Sequence, residues 1–352
     1  MEGDGKMKIL AVQLAGIGDS LLTIPAIKEL SKKEGNQVDV LVMYKGAKDV
    51  LENQDLGCRG IFQFNMIREG AFKTVKFCLK LRKEKYDKIF LFCPQARIHY
   101  DVVANLIGAK EIIGFDYQNG FFHTLSKKIL LSKVRNFDYN KHIILQNLSI
   151  VGGRLQKGIK LKIDEKLKTK TKKELKEIVG PKIGIHIGSG TTKNLFLKRW
   201  PIKNWKELIR LCVKQKYNVL LFGLDEQKDN LRLKREIDSE NVFVMDKKDL
   251  NETISQINEC DLFVGADSLL MHVASILNKP QIVIAGPALD KTIEPVGKNK
   301  LILSANLLCQ PCYKYGKYIN CTNKKKLKCV CEISPERVFK ELNRFLTVSQ
   351  LS

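Results

Sequence analysis

The sequence predicts an α/β protein made of two doubly wound domains. Short apolar runs of strand length alternate with amphipathic stretches of helical period, the pattern of parallel sheets covered by helices. That alternation starts twice, at Lys8–Leu14 (KILAVQL) and again at Lys182–Ile187 (KIGIHI). Between the two halves lies a Lys-rich stretch, Gly152–Pro181, poor in large apolar residues, and the interdomain connection is placed there. A chain of 352 residues suits this division, since about 150–180 residues per domain is an ordinary size. The expected boundaries are 1–165 for the first Rossmann-like domain and 180–334 for the second. A C-terminal helix fills 335–352, and packing back on the N-terminal domain is one arrangement to test for it.

In the first half, Lys8–Leu14 runs into Ala15-Gly16-Ile17-Gly18-Asp19, after which Leu21, Leu22, Ile24, Ile27 and Leu30 share one side of a helix. Val38–Met43 (VDVLVM) makes the next strand. Lys88–Phe92 and Glu111–Gly114 read as short buried strands, and the segments around Val102–Leu106 and His142–Val151 as helices. In the second half a long polar loop, Gly188–Lys198, follows the first strand. Trp200-Pro201 opens a helix carrying Trp205, Leu208, Ile209 and Cys212, and Asn218–Phe222 (NVLLF) is a strand closed by Gly223. Val242–Met245, Leu262–Val264 and Gln281–Ile284 are further strands, with a helix over Leu269–Leu277 between the last two. Ser334 as N-cap and Pro335 in the first turn start the final helix. Ligands of such sheets bind beyond the carboxyl ends of the strands, so the loops after the strands should carry the chemistry.

Lys and Arg together number 61 against 38 Asp and Glu, a formal net charge of +23. Such an excess suits a polyanionic partner, whether nucleic acid, an anionic membrane or a phosphorylated glycolipid, and equally suits solvated lysine-rich helix faces. No RNA-recognition signature or DNA-reading helix accompanies the charge, so nucleic acid is not the expected partner. No apolar run reaches the roughly 20 residues of a membrane-spanning helix. The charged, Gly-containing start and the interruption by Gln13 and Asp19 argue for a strand entering a loop rather than a signal peptide, and a cytoplasmic location is expected. Of the ten cysteines, Cys58, Cys78, Cys93, Cys212 and Cys260 stand singly in apolar or helical surroundings and read as small buried hydrophobes. Cys309, Cys312, Cys321, Cys329 and Cys331 crowd into one segment.

Three loops are candidates for the site. Gly16 and Gly18 give the first a tight backbone and allow close approach of a substrate. The third glycine of the dinucleotide fingerprint is missing, and no acidic residue clearly ends the second strand, so a nicotinamide dehydrogenase fits poorly. Asp19 at the following helix start is either an N-cap or a general base. The second loop, Gly188-Ser189-Gly190-Thr191-Thr192-Lys193 through Lys198-Arg199-Trp200-Pro201, offers hydroxyls, cations and backbone N–H groups suited to a diphosphate; it lacks P-loop spacing and also reads as a plain polar surface loop. In the third, Asp267 and Ser268 stand at a strand end and His272 one turn into the next helix, where it is either structural or a holder of ribose or phosphate oxygens.

These loops resemble glycosyltransferase family 9, the ADP-heptose:lipopolysaccharide heptosyltransferases. Gly16-Ile-Gly-Asp-Ser-Leu-Leu-Thr-Ile-Pro25 resembles the family's opening motif. Lys198-Arg-Trp-Pro201 with the Trp205 helix and Val219-Leu-Leu-Phe-Gly223 is similar to its central block. Asp267-Ser268, Met271-His272-Val273-Ala274 and Gly286-Pro287 are similar to its third. Tyr86-Asp87, Ile113-Gly-Phe-Asp116, Gln146-Asn147-Leu148 and the Cys309-x-Pro-Cys312 segment with Ile333-Ser-Pro-Glu336 are weaker echoes in the same order. The resemblance implies a GT-B fold, two Rossmann-like domains facing a central cleft, with the acceptor mainly on the first and the sugar nucleotide mainly on the second. It implies inverting transfer of a heptose or related sugar from an ADP-sugar, without a metal ion or other cofactor, to a lipopolysaccharide-core or similar anionic glycolipid, with peripheral contact at the cytoplasmic face of the inner membrane. By the same resemblance Asp19 is the catalytic base and Gly16 and Gly18 belong to its acceptor-side loop. Ser189, Thr191, Thr192, Lys198, Asp225, Asp267, Ser268 and His272 would hold the sugar nucleotide. Leu269 departs from the family, which usually has glycine after the Asp-Ser/Thr pair, and this bears on donor identity more than on reaction class.

Two other readings remain. Cys309-x-x-Cys312 is a proper zinc half-site and Cys329-x-Cys331 a poorer one, which with the basic charge allows a zinc-containing nucleic-acid-binding protein. Another GT-B sugar-nucleotide enzyme, such as an epimerase, would consume donor with no acceptor present.

Overall fold

A computed structural model describes residues 6–155, 158–190, 195–313, 315 and 319–350. It divides into two units, Met1–Ile159 with Lys291–Ile293, and Lys160–Asp290 with Glu294–Ser352.

The first unit runs β1 (Met7–Gln13), α1 (Ile17–Leu21), α2 (Ile24–Lys32), β2 (Asn36–Val42), α3 (Lys45–Glu52), β3 (Gly60–Gln63), α4 (Met66–Arg82), β4 (Tyr86–Leu91), α5 (Ile98–Ile107), β5 (Ala109–Asp116), α6 (Phe121–Leu130), β6 (Lys133–Asn136) and α7 (Ile143–Ile150). Its strands form one parallel sheet in the order β3-β2-β1-β4-β5-β6, with Val12 of β1 registered against Leu41 on one side and Leu91 on the other. The chain winds outward from β1 in one direction and from β4 in the other, so the topological switch point, where ligands of such sheets bind, lies between these two strands. Leu10, Val12, Leu41, Ile89 and Leu91 pack one face of the sheet against Cys78 and Leu81 of α4 and Tyr100, Val103 and Ile107 of α5.

The second unit runs α8 (Glu165–Glu174), β7 (Lys182–His186), a single 3-10 turn (Leu195–Lys198), α9 (Ile202–Lys214), β8 (Asn218–Phe222), α10 (Gln227–Ile237), β9 (Val242–Met245), α11 (Leu250–Asn258), β10 (Leu262–Ala266), α12 (Leu269–Ile276), β11 (Gln281–Ile284), β12 (Lys300–Leu303), α13 (Lys328–Cys331) and α14 (Pro335–Gln350). Its parallel sheet has the order β12-β11-β10-β7-β8-β9, placing its switch point between β7 and β10. Trp200 and Trp205 meet edge to face at 4.9 Å in a core with Ile183, Ile185, Leu208, Ile209, Val219 and Leu221.

The domain boundaries differ from the sequence reading. The first unit ends at Ile159 rather than 165, the second starts at Lys160 rather than 180, and Lys291–Ile293 groups with the first. The Lys-rich connection holds α8, which packs on α11, so part of it is covered structure. Val338, Leu342 and Leu346 of α14 recur at helical spacing and join the second core, with α14 lying along α9. That packing makes α14 part of the second unit. Ser334 Oγ accepts from Arg337 N at 3.2 Å, the expected N-cap.

Helix α6 was invisible to the periodicity argument because its amphipathicity is inverted. The buried side chain of α6 is Lys127, whose ammonium bonds the buried Asp101 of α5 at 2.8 Å. Burial pushes the Asp101 carboxyl above its usual range, against the opposing pull of Lys127. A buried charge left without its partner costs roughly 3–5 kcal/mol, whereas replacing both by apolar groups is often neutral. Lys127→Met is therefore expected to destabilise the first unit by about that amount in urea unfolding. Lys127→Met/Asp101→Leu should recover most of it; no loss in the single variant would refute the pair's role. No helix among the described residues is long and apolar enough to cross a membrane.

Candidate functional site

The first loop is fixed by two buried glutamines. Gln13 at the end of β1 donates to Cys93 O at 2.9 Å, and Gln95, just beyond β4, accepts from Leu14 N at 3.0 Å and donates to Val12 O at 2.7 Å. The chain then turns at Gly16 into the single turn of α1, where Ser20 Oγ donates to Gly16 O at 3.1 Å. Asp19 is not the N-cap. It is the third residue of the turn, half-buried, and its Oδ2 reaches back to accept from Gly16 N at 2.9 Å. Gly16 has extended backbone (φ −66°, ψ 164°), and a Cβ there would stand 3.0 Å from Asp19 Oδ2. Close approach, not backbone freedom, is what Gly16 supplies; Gly18 is buried in the same turn. Burial, with the Asp19 charge adding, raises Tyr44 and Cys93, and burial first, then Tyr44 and Asp19, pushes Tyr100 up to about 12. These three groups keep their protons at neutral pH, and none competes with Asp19 as a base.

The second unit assembles its own cluster at the β7/β10 switch point. Lys198, buried at the end of the 3-10 turn, bonds Asp267 at 2.5 Å, and its ammonium lies 5.5 Å from the centre of the Tyr313 ring. Ser268 caps α12, its Oγ accepting from Met271 N at 3.5 Å, and stands 3.0 Å from His186 Nδ1. His186 closes β7 and its Nε2 is 3.4 Å from Glu226, which also takes Arg199 Nη2 at 2.8 Å. Arg199 in turn donates to Ser189 O at 3.0 Å, and Ser189 Oγ donates to Leu195 O at 2.8 Å. Burial pushes the Glu226 carboxyl up, but the His186 hydrogen bond and the His186 and Arg199 charges outweigh it and hold it below the usual range. His272 is buried one turn beyond Ser268.

Asp225, the acidic position read from the sequence, is exposed in the turn after β8; the buried carboxylate is the next residue, Glu226. Space for it is left by two glycines. A Cβ on Gly188 would fall 2.0 Å from Glu226 Oε1, and one on Gly223, which also has φ +116°, 2.5 Å from Oε2. The cluster therefore joins Ser189, Lys198, Asp267 and Ser268 from the sequence reading with three residues it missed, His186, Arg199 and Glu226. Each lay within one residue of a named position or strand end, and the Gly188/Gly223 pair is the signal that marks the carboxylate. Thr191 and Thr192 lie outside the described residues. Asp19, Gly16 and Gly18 belong to the first unit.

Four of the five clustered cysteines, Cys309, Cys312, Cys321 and Cys329, line one small cavity with Pro287, Ile319 and Leu327, while Cys331 is exposed outside it. Burial first, then the neighbouring thiols, pushes Cys329 up to about 11. Among the described residues no group of three or more His, Cys, Asp or Glu side chains is arranged to hold a metal ion. The isolated cysteines Cys78, Cys93, Cys212 and Cys260 are buried as expected; Cys58 is only partly so.

Two doubly wound parallel domains, one with a carboxylate-bearing turn at its switch point and one with two cation–carboxylate pairs and hydroxyls at its own, define a protein of the GT-B class. The chain belongs to glycosyltransferase family 9 (heptosyltransferase), whose model matches residues 74–323, and it is a glycosyl-transferring enzyme of that family. It is 26% identical to lipooligosaccharide heptosyltransferase 2 of Campylobacter jejuni over 98% of this chain and 100% of that one. Among solved structures it resembles E. coli ADP-heptose lipopolysaccharide heptosyltransferase II, with a TM-score of 0.75 and 19% identity over 98% of this chain and 100% of that one. An E. coli heptosyltransferase with ADP-2-deoxy-2-fluoro heptose gives a TM-score of 0.66 at 17% identity, over 96% of this chain and 99% of that one.

Proposed function

We propose that this enzyme transfers a heptose, or a closely related sugar, from an ADP-sugar to an anionic lipopolysaccharide-core or similar glycolipid acceptor, with inversion and without a metal ion. The observation that carries the reading is the Lys198–Asp267–Ser268–His186–Glu226–Arg199 cluster at the second switch point. It supplies two cations and several hydrogen-bonding groups where a diphosphate and ribose would bind. Ser189 and His272 complete the donor site. The solved relative holding an ADP-sugar analogue supports the choice of base, and the curated relative's name supports the acceptor class.

The chemistry follows. Asp19 Oδ1 or Oδ2 takes the proton of the acceptor hydroxyl as its oxygen forms the new bond to the anomeric carbon. The bond from that carbon to the diphosphate breaks, and its electron pair leaves with the ADP. Inversion requires base and leaving group on opposite faces of the sugar. The departing diphosphate gains charge, which Lys198, Arg199 and backbone N–H groups stabilise in place of a metal. The acceptor would be met at the cytoplasmic face of the inner membrane. A thermal-shift screen of ADP-, GDP- and UDP-sugars tests the donor. At about a hundredfold excess over Kd, a binding ligand adds ~2.7 kcal/mol and should raise the second unit's Tm by roughly 5–10 °C. An ADP-sugar should do so; an equal shift with GDP- or UDP-sugars overturns the base assignment, and no shift with any of them overturns the donor site.

A further inference from the structure

Helices α4, α5 and α6 lie side by side over one face of the first sheet, and their outer surface is unusually apolar. In α4, which is interrupted at Gly70, the inward residues Thr74, Cys78 and Leu81 recur at helical spacing. A second stripe, Phe72, Val75 and Leu79, points the other way, with Phe72 83% exposed. The exposed Lys73, Lys76, Lys80 and Lys83 flank that stripe. In α6 the cation is inside and the aromatics outside: Phe121 and Phe122 are 76% and 83% exposed, and Leu125 and Ile129 continue their stripe. Ile98 and Val102 of α5 bridge the two. Helices of a water-soluble face bury their apolar stripe and expose their charge; α6 does the reverse, and α4 and α5 carry exposed apolar residues besides the stripe they bury. Contiguous apolar patches rimmed by cations mark interaction sites.

We infer that the outer face of α4, α5 and α6 docks this enzyme on an anionic lipid surface, the phenylalanines entering the headgroup boundary and the lysines meeting the phosphates. The charge is what selects a lipid over a second copy of the chain. Four lysines of α4 and its exit turn on one copy would face the same four on another, whereas each gains near a negatively charged membrane. Phenylalanines at the rim of a basic helix are the composition of interfacial anchoring. The inference deepens the glycolipid-acceptor reading, on which only the transfer arm of its test rests; the vesicle arm stands on the surface alone.

The test is co-sedimentation of the full chain with vesicles of phosphatidylcholine alone and with added phosphatidylglycerol, comparing wild type with Phe72→Ser/Phe121→Ser/Phe122→Ser and with Lys76→Ser/Lys80→Ser. Exposed positions are chosen so that folding survives, and an unchanged urea-unfolding midpoint of the first unit checks that it has. Wild type should bind the anionic vesicles at least about tenfold more strongly than the neutral ones, and both variants should lose most of that binding. Transfer to a delipidated, water-soluble acceptor should stay unchanged in the variants while transfer to a vesicle-embedded acceptor falls. Equal binding by wild type and the phenylalanine variant overturns the surface. A wild-type dimer that the phenylalanine substitutions dissociate overturns the lipid in favour of a second copy. Failure of every transfer arm, with vesicle binding intact, falls on the acceptor reading instead.

Discussion

Asp19→Asn is expected to lower kcat for glycosyl transfer by on the order of 10³-fold, within the range typical of a lost general base, while leaving the ADP-sugar thermal shift intact. The separation follows from where the residue sits. Asp19 belongs to the turn after β1 in the first unit, and the proposed donor cluster is built from the second, so losing this carboxylate leaves that cluster's contacts in place. The asparagine keeps an oxygen to accept from Gly16 N, the bond that holds the α1 turn at 2.9 Å, so the geometry should survive and only the proton acceptor is lost. Rates measured with saturating donor and acceptor, alongside calorimetric donor affinity, check both halves. Full activity in this variant would remove Asp19 from the mechanism, since Tyr44, Cys93 and Tyr100 beside it are held protonated.

Lys198→Ala should reduce kcat/KM by about 10²–10³, the loss seen when one donor to a developing anion is removed. It carries a second effect that the first substitution does not. Lys198 and Asp267 form a buried pair at 2.5 Å, so truncating the lysine leaves a carboxylate buried where the diphosphate would bind. Donor affinity should therefore fall together with kcat. Lys198→Ala/Asp267→Asn removes that negative charge and should regain part of the donor affinity without regaining kcat. Kinetics of the single and double variants separate the two contributions. A single variant within threefold of wild type would exclude Lys198 from phosphate stabilisation.

The loops of the second switch point were largely legible because strand, loop and helix succeed each other locally. A strand ending in small and polar residues before a capped helix is written in contiguous sequence, and Asp267-Ser268 before α12 is such a case. Glu226 was not legible. It adjoins Asp225, both are acidic, and only the fold shows which one turns inward to His186 and Arg199 and which faces water. Asp19 lay between: its position at a helix start could be read, but its place as third residue of the turn rather than N-cap depends on where Gly16 bends the chain. Helix α6 was missed for a different reason, since a lysine-in, phenylalanine-out pattern carries the wrong sign for a buried-face argument.

What the sequence by itself determined is the class of architecture: two rounds of buried strands and covering helices, with polar loops at their carboxyl ends. Hydrophobic periodicity records which face each segment buries, and that information is local. Only the tertiary structure decided which side chains meet across the second sheet's switch point, that α14 completes the second core, and that Lys127 is buried on Asp101. Those outcomes depend on contacts between residues far apart in the chain, where burial leaves a charge stable only if a distant partner arrives.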